Sequence, residues 1–167
     1  MRGAAVLFVT LYLLQILVAG LNSALSGYHL WLFAGGLYVA YSALAMPFGG
    51  GLTASILGGL LCDAMSPVPF GTHAALFGVA HAVVFNLRER MQREDTAVRV
   101  VVALVVNLAV FLALSIMVLG LRHPGEWPRT LSDLLWSEAV VAAVGPWFFA
   151  LQQRSLEMAR ANPQHSA

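Results

Sequence analysis

The chain has 167 residues, 59% of them apolar and 10% charged, against roughly 45–50% and about 25% in a soluble domain. With a mean hydropathy of +0.78, it carries more apolar surface than a soluble globule of this size buries, and it reads as one polytopic membrane domain over residues 1–167. All nine basic residues are arginine and the net charge is +1, so no basic surface serves nucleic acid, and the lone Cys62 excludes an intrachain disulfide scaffold.

An apolar run needs about 20 residues to cross a hydrocarbon core of roughly 30 Å. Residues 4–21 form the first run, broken by Thr10 and Gln15. It is longer than the ~7–15-residue core of a cleaved signal peptide and reads as the first span. Residues 28–46 are the second, with Tyr28 and Trp31 near one end, and Pro47 closes it. Runs 49–62 and 73–87 are short enough that a re-entrant hairpin competes with two full crossings. Run 98–121 is the longest, and run 134–151 carries Trp136 and Trp147 toward its two ends. The expected fold is an all-α integral membrane bundle of about six transmembrane helices.

Arginine sets the orientation. With a cytoplasmic N-terminus, the inner segments hold Arg2, Arg88, Arg90, Arg93, Arg99, Arg154 and Arg160, while the outer ones hold Arg122 and Arg129. Both termini are therefore expected in the cytoplasm. The cluster Arg88, Arg90 and Arg93 reads as a topology determinant at anionic headgroups.

Polar residues inside apolar runs carry the remaining information. Gly51, Ser55, Gly59 and Asp63 are spaced four apart and share one helical face, where small residues let another helix approach closely. Asp63 at the end of that stripe reads either as a partner, proton or ligand site or as a hydrogen-bond acceptor for the turn 66–72. Pro67, Pro69 and Gly71 mark a sharp connection, with Thr72 as the expected N-cap of a helix starting at His73. His73 and His81 lie two turns apart, roughly 12 Å, too far to grip one metal ion. His81, Asn107 and Gln15 are expected to bridge helices by hydrogen bonds. Glu138 lies at membrane depth about two turns into a helix starting near Leu131, with His81, His123 or Arg122 as expected partners if its role is structural. Pro146 should kink or end that helix. No nucleophile elbow, phosphate loop or zinc-protease motif occurs, so no enzyme and no cofactor are expected.

The Gly-rich third run ending in Gly58-Gly59-Leu60-Leu61-Cys62-Asp63, then Ser66, Pro69-Phe70-Gly71 and His73-Ala74, with an arginine cluster closing the fourth run, resembles the rod shape-determining protein MreD family of bacterial inner-membrane proteins. Phe70 stands where that family usually has an aliphatic residue, and Val79-Ala80-His81 where a Gly-Tyr pair is often seen. The specific motif covers residues 58–93. The resemblance implies a non-enzymatic scaffold of the lateral cell-wall elongation machinery, binding an MreC-like single-span protein and neighbouring peptidoglycan-synthesis proteins. It also implies a fold similar to the substrate-binding membrane subunits of energy-coupling-factor vitamin transporters, which makes such a subunit the alternative. The loop 122–133 with Trp127 is that alternative's best support in the sequence, and whether a small ligand is bound stays open.

Overall fold

A helix satisfies its backbone amides within the segment, the main requirement wherever water is scarce. In the computed structural model, which describes residues 2–25, 27, 30–66, 68–91, 95–119 and 124–161, the described residues form six α-helices and no strand. These are α1 (Arg2–Leu25), α2 (Gly35–Ala45), α3 (Phe48–Ala64), α4 (Thr72–Leu87), α5 (Thr96–Leu119) and α6 (Trp127–Ala161), with single 3-10 turns at Arg88–Arg90 and Pro124–Glu126. Tyr28, Pro67, Arg93, Arg122 and His123 lie outside the described residues.

Three boundaries differ from the sequence expectation. The second apolar run is not one helix: only Gly35–Ala45 is helical, and residues 30–34 are non-helical backbone. The last helix starts at Trp127 rather than near Leu131, so the greater part of the expected outer loop is its first turns and Glu138 sits three turns in. It also runs through Pro146 to Ala161. Proline removes one helical hydrogen bond, and the aromatic pair that follows, Phe148 and Phe149, is buried against Tyr41 of α2 and holds the helix in place beyond it.

The bundle is built around α2. Each residue from Gly35 to Leu44 is buried, and α3, α4, α5 and α6 all pack on it. Gly36 makes that centre possible, because a Cβ there would meet the Cβ and backbone N of Asn107 at 2.5 Å. The helices around this axis bury Phe77, Val141 and Phe149 inward, while Leu13, Val83, Val105, Met117 and Leu135 are exposed outward. Two helical segments, Thr96–Leu119 and Trp127–Ser155, are long and apolar enough to cross a membrane, whereas Tyr12–Leu25 and Phe48–Ala64 are apolar but shorter.

Candidate functional site

The α3–α4 hairpin concentrates the motif residues. At Gly59 a Cβ would collide with the backbone of His73 and Ala74, so the two helices touch main chain to side-chain-free main chain there. Gly51, two turns earlier, faces the His81 ring and the Ser42 carbonyl, again with no room for a Cβ. The small-residue stripe thus faces α4 and α2 of the same chain.

Asp63 ends the stripe, buried at 4% exposure. Its Oδ1 accepts from His73 N and from His73 Nδ1, both at 2.8 Å, and its Oδ2 accepts from Gly71 N at 2.9 Å and Ala74 N at 3.2 Å. A helix leaves its first N–H groups without partners inside the helix, and here a carboxylate from the preceding helix supplies them. Thr72 is therefore not the N-cap. Gly71 occupies that position with φ of +96°, a left-handed conformation that costs glycine nothing, and the Thr72 hydroxyl donates instead to Pro69 O at 2.7 Å. Because the carboxylate only accepts, His73 donates to it from Nδ1–H.

A second constellation surrounds the non-helical stretch ahead of α2. Asn22 accepts from Leu32 N at 2.7 Å and donates to Leu32 O at 3.0 Å. Asp133 accepts from Trp31 N at 3.0 Å. The Ser137 hydroxyl accepts from Phe33 N at 3.0 Å and donates to Trp31 O at 3.4 Å. Asn107 donates to Phe33 O at 3.1 Å and accepts from Gly36 N at 3.1 Å. Four side chains from α1, α5 and α6 thereby replace the hydrogen bonds that a continuous helix would make, which is what irregular backbone inside an apolar bundle requires. The second amide hydrogen of Asn107 goes to Glu138 Oε1 at 3.1 Å. Glu138 thus orients Asn107 and does not pair with His81.

His81 belongs to a third set. Its Nδ1 lies 3.2 Å from Ser42 Oγ and 3.1 Å from Ser55 Oγ, and the two hydroxyls are 2.7 Å apart, joining α2, α3 and α4 in one buried junction. Asp63, Glu138 and His81 therefore stand in separate hydrogen-bond sets. Among the described residues no group of three His, Cys, Asp or Glu side chains is placed to hold a metal ion. The Arg88 guanidinium donates to Met46 O at 2.9 Å and Ala43 O at 3.4 Å at the end of α2, and stacks 3.5 Å over the Phe85 ring. Arg90 is exposed.

A cavity of about 400 Å³ opens beside the two first constellations, between α1, the 31–34 stretch, the ends of α3 and α5 and the start of α6. Gln15, Asn22, Cys62, Ser66, His73 and Asp133 contribute to its lining. The Ser66 hydroxyl is buried without a hydrogen-bond partner, so it is not engaged by His73. Asn22, Asp133 and Ser137 escaped the sequence reading, since the backbone they serve is 10 residues away for Asn22 and more than 100 away for the other two. The one available signal was a polar side chain inside or beside an apolar run. Comparisons of this chain with protein-family models, with curated proteins and with solved structures find no match.

Proposed function

We propose that the chain is a multi-pass protein of the bacterial cytoplasmic membrane and a non-enzymatic, MreD-like scaffold of lateral cell-wall elongation. In this reading its six helices form one bundle with both termini in the cytoplasm. The observation that carries the scaffold reading is the use made of Asp63. Its carboxylate accepts four hydrogen bonds, all from donors at the turn that it closes, so the residues on which the resemblance rests are spent on architecture.

Membrane residence draws support from the outward-facing apolar side chains on α1, α4, α5 and α6, since so many exposed large apolar side chains fit lipid better than water. The short α2 fits as well. Its eleven helical residues at 1.5 Å span roughly 17 Å, and the non-helical residues 30–34 lengthen the segment toward a core of about 30 Å. The arginines favour a cytoplasmic end that holds Arg88, Arg90 and Arg99. The partners in this reading are an MreC-like single-span protein and membrane proteins of peptidoglycan synthesis.

Depletion in the native cell, followed by microscopy and vitamin-uptake assays, tests it. Rounded cells with intact uptake are the expected result. Normal rods with a nutritional requirement would favour the transporter subunit instead.

A further inference from the structure

Beside the structural constellations, the cavity has a chemistry of its own. At about 400 Å³ it falls within the range of pockets that hold drug-sized molecules. Its walls are apolar where Val18, Leu32 and Leu114 line it, and aromatic where Trp31, Phe33 and Phe111 do. Asp133 is its charged group, 9% exposed. Among the described residues its carboxylate meets one donor, the N–H of Trp31, and pairs with no basic side chain. A carboxylate has about four acceptor positions, and removing it from water is costly unless it finds a counter-charge. Arginine is absent from the described lining, so a phosphate or carboxylate ligand would face Asp133 without compensation. A protonated amine meets both needs, because the carboxylate pairs with the charge and the aromatic rings attract a cation.

We propose that this cavity binds an organic cation, a small molecule with an apolar body and a protonated amine directed at Asp133. His73 Nε2 and the unpartnered Ser66 hydroxyl, which line the same cavity, offer further hydrogen-bonding positions. The proposal is independent of the cell-shape reading, since it concerns the purified protein and survives either outcome of depletion.

Three probes of one shape test it: 4-phenylbutylamine, 4-phenylbutanol and 4-phenylbutyrate, each titrated against the full chain in a neutral maltoside detergent while thermal unfolding is followed. The amine is expected to raise the unfolding temperature in a saturable way, the alcohol to bind about tenfold or more weakly, and the acid to give no shift. Asp133→Asn keeps an acceptor for Trp31 N and should abolish the preference for the amine over the alcohol. Leu114→Trp fills the cavity and should abolish both shifts. Ala19→Phe, from α1, replaces it if the first variant fails to give a monodisperse protein. No shift with the amine, equal binding of the acid, or an amine preference that survives Asp133→Asn would each overturn the proposal.

Discussion

At the α3–α4 turn one carboxylate satisfies the backbone N–H groups of Gly71, His73 and Ala74, all within the next eleven residues. Ahead of α2 the same kind of requirement, polar backbone inside an apolar bundle, is met by Asn22, Asn107, Asp133 and Ser137 from three other helices. The turn is local and depends on one side chain. The support of the non-helical stretch is distributed, and no single side chain holds more than two of its bonds. The comparison teaches that two polar defects of similar size differ in fragility according to how many residues share the work.

The largest effect is expected where the hairpin leaves no slack. Gly59→Leu places a branched side chain into the backbone of His73 and Ala74. Overpacking costs about 1–3 kcal/mol where side chains move aside, and main chain cannot, so no folded protein should reach the membrane. Leu60→Val, on a half-buried position beside it, should accumulate normally. Equal levels of the two in a membrane immunoblot would mean that α3 and α4 are not in contact here.

Next come the acceptors themselves. Asp63→Ala strands three N–H groups and the His73 ring, at roughly 1–3 kcal/mol for each buried unpaired group. Asp63→Asn is expected to be intermediate. Both carboxylate oxygens are occupied by donors, and the amide NH2 would turn a donor toward two of them. Asn22→Ala strands only Leu32 N and Leu32 O and should cost less than Asp63→Ala. Thermal unfolding in detergent ranks the three. Asn22→Ala at or below the stability of Asp63→Ala would break the contrast between local and shared satisfaction.

The smallest effect belongs to Glu138→Gln. Gln keeps the oxygen that accepts from Asn107, so stability should change by no more than about 0.5 kcal/mol. On the proposed scaffold reading, the variant retains cell shape on complementation of a depleted strain. A larger loss at normal protein level would show that the charge itself matters.

This contrast also explains what could be read from residues alone. The apolar runs located six helices, and the Asp63 turn was legible because donor and acceptor lie within one short segment bracketed by prolines and glycines. The break before α2 was not. Its chain signal, Gly35-Gly36 after an apolar stretch, is weak, and its partners Asp133 and Ser137 sit over 100 residues on. Asn107 was legible as a bridge between helices, but which groups it joins depends on the third dimension. Of the two outcomes expected at Pro146, a kink or an end, the helix does not end there, because packing beyond it, through Phe148 and Phe149 against Tyr41, outweighs one missing hydrogen bond.

The distributed support of residues 31–33 also has a consequence in time. A ribosome makes Phe33 well before Ser137, which follows 104 residues later; at about 5–20 residues per second the interval is roughly 5–20 s. During it the amides of Trp31 and Phe33 are without their native acceptors, and another acceptor such as water has to serve them. The non-helical stretch ahead of α2 is thus completed only when α6 arrives, which makes that helix the step that commits the whole bundle.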